Sequence, residues 1–302
     1  MNVALLSGGT GGAKLARGLY ELLGAQLAVI ANTGDDTEIH GAYVSPDPDL
    51  ITFWLADLID SERGWGLEGD TFAAMEMLRA LGRDTSFSLG DRDLALCLER
   101  RRLLEEGATL SEAHALLAKA LGVDAAVIPM SDDRVRTTVR SGERVLTLHE
   151  FLIGERGAAP IDDVVYEGAP GAGGAPAALA ALAGAEAIVI GPSNPVLSIG
   201  PILAVTAIRE AIEAAGVPVI AVSPFVGGEV LKGPTAACLA WAGRSTDTAG
   251  VAAHYAGLID AIVADETVAG LRVLKCDTWM GAASARRELA ENVLALAGEL
   301  GG

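Results

Sequence analysis

The chain is poor in the residues on which many sites and staples are built. Its three cysteines, Cys97, Cys238 and Cys276, stand far apart, odd in number and without a Cys-x-x-Cys pair. A disulfide framework and a zinc site are therefore not expected, and a reduced, cytoplasmic protein is. Histidine occurs four times, as His40, His114, His149 and His254, with no metal-ligand spacing. His40, in an acidic loop, is the one expected near a site. Basic residues number 22 against 40 acidic ones, a net charge of −18. That balance disfavours nucleic acid as a partner, and general solubility accounts for most of it. No Gly-x-Ser-x-Gly occurs, which argues against a serine hydrolase. The most apolar stretch, Ala177 to Ile190, is interrupted by Gly184 and Glu186 and is too short to span a bilayer. The first residues carry no basic region ahead of an apolar core, so no signal peptide is expected. Aromatics make up only 4% of a chain that is 51% hydrophobic and rich in alanine, a pattern of small-residue helix packing rather than of a membrane protein.

What is present reads as an α/β fold. Asn2 to Leu6 has strand length and composition, Ser7-Gly8-Gly9-Thr10-Gly11-Gly12 follows at once, and residues 13–23 carry Leu15, Leu19, Leu22 and Leu23 at helical spacing. Gln26 to Ala31 is a second strand, giving the opening of a parallel βαβ sheet. Residues 50–122 read as helical, with helices near 50–60, 70–81, 91–105 and 111–121, and Asp91 and Ser111 as N-caps. Residues 134–140 and 144–148 form a hairpin around Ser141-Gly142-Glu143. Apolar runs at 187–190, 217–222 and 261–263 resume the buried parallel strands, with helices near 175–183, 201–215, 234–242 and 282–298. The expectation is one α/β domain over 1–302: a Rossmann-like parallel sheet with helices on both faces and a helical insertion at about 50–122.

Four polar loops follow four of these strands, and the carboxyl ends of parallel strands form the usual ligand crevice. The first, Gly8-Gly9-Thr10-Gly11-Gly12 with Lys14, lets backbone N–H groups and a helix N-terminus approach a phosphate. It matches neither a Walker loop nor the dinucleotide fingerprint. The second, Asn32-Thr33-Gly34-Asp35-Asp36, offers two carboxylates to a hydrated magnesium or a hydroxyl. Ser45-Pro46-Asp47-Pro48-Asp49 adds two more, and Asp49, before an apolar helical run, reads as a metal ligand, a hydroxyl-orienting group or an N-cap. The third, Gly191-Pro192-Ser193-Asn194-Pro195, presents Ser193 and Asn194. The fourth runs from Ser223 through Gly227 and Gly228 to Lys232, a candidate phosphate contact. Arg92, in Leu89-Gly90-Asp91-Arg92-Asp93, has a planar fork for a carboxylate, phosphate or ring carbonyl.

Taken together, these segments resemble the 2-phospho-L-lactate transferase family (CofD/FbiA) of coenzyme F420 biosynthesis. The resemblance runs through Ser7–Leu15, Asn32–Asp36, Glu38–Gly41, Ser45-Pro46-Asp47, Gly64-Trp65-Gly66, Gly69–Phe72, Leu89–Leu94, Met130–Asp133, Gly191–Leu203, Ser223–Pro234 and Asp277-Thr278. It implies a homodimeric, Mg2+-dependent transferase. Such an enzyme moves a phospholactyl or phosphoenolpyruvyl group from a guanosine diphosphate-linked donor to the ribityl hydroxyl of the deazaflavin Fo, and GMP leaves. By the same resemblance the glycine loop, Asn194 and the 223–234 loop line the guanosine phosphate site, and Asp49 and Arg92 lie at the deazaflavin. Asp49, then Asp35 or Asp36, is the expected proton acceptor, and the same three are the expected metal ligands. A nucleotidyltransferase, echoed in the glycine loop, and a nucleotide- or sugar-binding regulator are the alternatives.

Overall fold

Seven short apolar strands carry the fold in the computed structural model, which describes residues 1–302. They are β1 (Val3–Ser7), β2 (Leu27–Ala31), β3 (Ala126–Pro129), β4 (Ala187–Ile190), β5 (Val219–Val222), β6 (Ala261–Ala264) and β7 (Arg272–Lys275). All pair parallel, in the order β3-β2-β1-β4-β5-β6-β7. The direction of winding reverses between β1 and β4, and the crevice beyond the carboxyl ends there is where such sheets take ligands.

Both faces of the sheet are covered, which is why its inner strands read as unbroken apolar runs. Alternate residues serve opposite sides. Val3, Leu5, Val29, Val189 and Val222 face one buried cluster with helices α1 (Gly9–Leu23), α2 (Pro46–Leu55) and the last helix, Ala283–Gly301. Ala4, Leu6, Ile30, Ile190 and Ala221 face the other, with helices Pro176–Ala183, Thr206–Ala214 and Thr248–His254. Between β2 and β3 the chain adds α3 (Ala73–Ala80), α4 (Asp91–Glu105) and α5 (Leu110–Ala120). A three-stranded antiparallel sheet, 136–141, 144–147 and 163–167, packs beside the crevice. No single helix is long and apolar enough to cross a membrane. The run from Ala177 to Ile190 is a helix followed by β4.

The expected elements are present, with differences in their bounds and with several additions, among them the strand at 163–167 and the helix Thr248–His254. Helix α2 starts at Pro46, earlier than expected, because proline at the first helical position is preorganised for it. Asp47 and Asp49 are therefore inside its first turn, and Asp49 is not an N-cap. Gly90, not Asp91, caps α4, and Thr109, not Ser111, caps α5 through a capping box with Glu112. The helix expected at 201–215 breaks at Val205. Strands β3 and β7 and the hairpin of 37–39 with 42–44 were not expected. They are three or four residues long, too short for periodicity to declare.

Candidate functional site

Gly8 leaves β1 in an extended conformation and α1 begins at Gly9, with no capping side chain and no acid in its first turn. Gly9 sits at φ +65, a conformation side chains disfavour. At Gly12 a Cβ would lie 2.2 Å from Ser7 Oγ and 2.7 Å from Ser193 Oγ, so only glycine lets α1 press onto the ends of β1 and β4. The helix N-terminus thereby opens onto a cavity of about 710 Å³, walled by Gly8–Gly11, Pro192–Asn194, Ser223, Pro224 and Leu231–Thr235. Lys14, Arg156 and Lys232 line it, and no aspartate or glutamate does. In a chain with 40 acidic residues, that exclusion makes the cavity suited to an anion. Burial, then the charges of Arg286 and Lys232, lowers the Lys14 pKa.

Of the residues expected at the phosphates, Gly8, Gly9, Thr10, Gly11, Lys14, Ser193, Asn194 and Lys232 line this cavity. Three residues are placed otherwise. Gly12 lies behind the wall as a packing position. Gly227 and Gly228, at φ +61 and +79, form the tip of the hairpin between 225–226 and 229–230, outside the cavity. Two successive positive φ angles are what that tight turn demands. The side chain of Asn194 is spent locally. Its Oδ1 accepts the N–H groups of Val196 and Leu197, both at 2.9 Å, and its Nδ2 lies 3.4 Å from Cys238 Sγ.

A second cavity, about 410 Å³, adjoins the first. Leu152 and Ile153 line both. Phe53, Trp65 and Phe87, drawn from a chain with few aromatics, line it with Leu50, His149 and four aspartates: Asp35, Asp47, Asp49 and Asp93. Asp47 stands at the junction. Its Oδ1 accepts the N–H of Gly9 at 2.6 Å, and its Oδ2 accepts Asn32 Nδ2 at 2.9 Å. Burial raises its pKa to about 6, against the pull of Asn32 and the Gly9 amide. Asp35 is half-buried, and Asn32 Nδ2 lies 3.5 Å from it. Burial and then the charges of Asp47 and Asp36 hold its pKa well above the carboxylate range. Asp93 is raised to about 7 by burial and then by Asp49.

Asp35, Asp36 and Asp49 do not converge as the expected metal triad. Asp36 is turned to Ser45 Oγ (2.8 Å) and Tyr43 OH (3.0 Å), both donating to it, and burial raises it to about 7. Asp49 forms a bidentate pair with Arg100, which is fully buried, and His114 Nδ1 lies 3.9 Å away. The acid and thiol group whose donor atoms do converge, within 4.8 Å, is Asp49, Asp93 and Cys97, and Arg100 already neutralises it. Asp35 alone of the expected three is exposed to the cavity with an unbalanced charge around it. An oxygen ligand set of one or two carboxylates completed by substrate phosphates is how Mg2+ is commonly held, and Asp35 fits it. Arg92 is also misplaced by the sequence. Its guanidinium reaches Asp70 and the carbonyl of Glu68, half of it in solvent, away from the second cavity. His40 bonds the carbonyl of Phe87, while His149 is the histidine on the cavity wall.

The profile of the family described as 2-phospho-L-lactate transferase CofD matches residues 3–294. The chain belongs to the CofD family. Relatives named 2-phospho-L-lactate transferase include one from Methanopyrus kandleri, 40% identical over all of this chain and 99% of its own length. Another, from Methanosarcina acetivorans, is 37% identical over 97% of this chain and 98% of its own. A UPF0052-family protein of Bacillus halodurans superposes with a TM-score of 0.62, covering 97% of this chain and 98% of that one at 16% identity, which shows a shared fold.

Sequence reasoning gave Asp47 no role of its own and missed Arg156, Arg100 and Asp93. Pro46 was a usable signal, since a helix beginning there puts Asp47 in the first turn beside the glycine loop. Arg100 and Arg156 carried none: one is a mid-helix arginine among three in a row, the other a loop residue.

Proposed function

We propose that this CofD-family chain transfers a phospholactyl or phosphoenolpyruvyl group from a guanosine diphosphate-linked donor to the ribityl hydroxyl of the deazaflavin Fo. GMP leaves, and the product enters coenzyme F420 assembly. One observation carries the reading: a cationic, carboxylate-free cavity at a helix N-terminus opens beside an aromatic, aspartate-lined one, and Asp47 on the wall of the second accepts the N–H of Gly9 on the wall of the first. The first suits a diphosphate, the second a flat ring with a polyhydroxyl chain. Transfer needs the acceptor oxygen in line with the phosphorus–GMP bond and charge neutralised on both sides, not a protein nucleophile. The new bond joins the hydroxyl oxygen to phosphorus, the bond to GMP breaks, and the hydroxyl proton passes to Asp47. A carboxylate raised to about 6 suits that task near neutral pH. Lys14, Lys232 and the amides of Thr10 and Gly11 bind the phosphates, the Gly9 amide being held by Asp47. Asp35 would hold Mg2+ against them, which would offset the charge developing on GMP.

The test is single-turnover GMP release in Mg2+, with and without Fo, for the native chain and Asp47→Asn. Fo-dependent release is expected to fall by roughly 10²- to 10⁴-fold in the variant, the usual contribution of a general base. Release indifferent to Fo would overturn the acceptor assignment.

A further inference from the structure

Arg156, like Lys232, is a cation of the donor cavity that no ion pair or ring in the protein holds, and it alone of the three carries a guanidinium. Lys14 is fixed on α1 with its ammonium 5.9 Å from the Trp54 ring. Arg156 makes no ion pair, and its side chain makes no hydrogen bond. Its neighbour Glu155 pairs with Arg144 instead, at 2.7 Å. An arginine left free at the wall of a carboxylate-free cavity, in a chain of net charge −18, is a guanidinium without its anion.

The backbone supports the same conclusion. Arg156 lies at φ +53, one of three non-glycine residues at positive φ, and Gly157 follows at +66. A side chain in the left-handed region is disfavoured, and such conformations persist mostly where function uses them. The two left-handed residues end a helical turn at 150–154 whose Phe151 is fully buried, and the Gly157 N–H closes the loop onto the Phe151 carbonyl at 2.8 Å. A Cβ on Gly157 would lie 3.3 Å from Pro234, so this loop abuts the one that carries Lys232. Leu152 and Ile153 of the same loop line both cavities and are exposed. The loop therefore spans the seam across which the group must move.

We propose that Arg156 is a donor-contacting residue: its guanidinium takes the non-bridging oxygens of the donor diphosphate, closing the cavity opposite Lys14 and beside Lys232. This rests on the donor assignment above and adds a third charged contact to it. The planar fork fits two phosphate oxygens at once, which a lysine ammonium does not reproduce.

The decisive variant is Arg156→Gly, which removes the guanidinium and also relieves the positive φ. Its unfolding midpoint in urea is expected to equal or exceed the native value, while GDP affinity by calorimetry falls about 10- to 100-fold, the range for a lost charge-assisted pair. Arg156→Lys is expected to fall between. Millimolar guanidinium chloride is expected to restore part of the GMP release by Arg156→Gly, which a purely structural role would not allow. Native GDP affinity and native turnover in Arg156→Gly would overturn the proposal and leave the donor assignment standing. Failure of the native chain to bind GDP would instead overturn the donor assignment, and the proposal with it.

Discussion

The two cavities share a wall and little else. One holds three cations, glycine amides and no carboxylate; the other holds four aspartates, three aromatic rings and no cation. The chain as a whole would repel a polyanion, yet charges more than about 8–10 Å apart are largely screened at physiological salt. What a phosphate meets inside the first cavity is therefore set by Lys14, Arg156, Lys232 and a helix N-terminus, not by the net charge. The second cavity reaches the opposite result: burial raises the pKa of Asp35, Asp47 and Asp93, and the charges of neighbouring aspartates raise Asp35 and Asp93 further. Net charge speaks about partners at long range, and a few tenths of a nanometre of wall chemistry decides the ligand.

The largest expected effect comes from the wall of the acidic cavity. Arg100→Met leaves Asp49 buried without its partner, which costs about 3–5 kcal/mol in comparable buried pairs. The double variant Asp49→Leu/Arg100→Met is expected to recover most of that in urea unfolding, because both charges go together. If turnover returns along with stability, Asp49 is part of the wall. If stability returns alone, Asp49 also touches the acceptor.

A smaller effect is expected from giving the cationic cavity a carboxylate. Lys232→Glu should weaken GDP binding about tenfold through lost attraction and added repulsion. Fo affinity, read by fluorescence titration, is expected to stay within twofold. Equal losses for both ligands would mean that the two cavities do not act separately.

The sheet and the glycine loop were legible because their signals are local. An apolar run before four glycines announces a strand and a phosphate turn, and β4 ends where the sequence says it does. The wall of the cationic cavity was legible for the same reason, since most of its residues sit in loops directly after strands. The wall of the acidic cavity was not. Asp49 and Arg100 are 51 residues apart, and nothing in α4 says which of Arg100, Arg101 and Arg102 turns inward. Burial decides it, since Arg100 is fully enclosed while Arg101 and Arg102 pair with exposed glutamates. The same holds for Arg92: a residue type suited to a ring carbonyl was present, but helix phase sends it to Asp70.

The two cavities also separate by the sign of their pH dependence. Asp93, raised to about 7, keeps a proton in the folded state that the unfolded chain gives up near pH 4. Its contribution is therefore fully present below about pH 4 and is lost as pH rises through 7, with a slope of at most about 1.4 kcal/mol per pH unit. Lys14 acts in the opposite direction. Its lowered pKa means that the folded state sheds a proton earlier than the unfolded chain does, so stability rises with pH on approach to the ordinary lysine range. Urea unfolding of the native chain and Asp93→Asn at pH 5 and pH 8 isolates the first of these. The variant is expected to gain on the native chain between the two pH values, because asparagine has no charge to bury. Parallel losses would show that Asp93 ionises as a solvated carboxylate, and the acidic cavity would then owe its aspartates to water rather than to an enclosed wall.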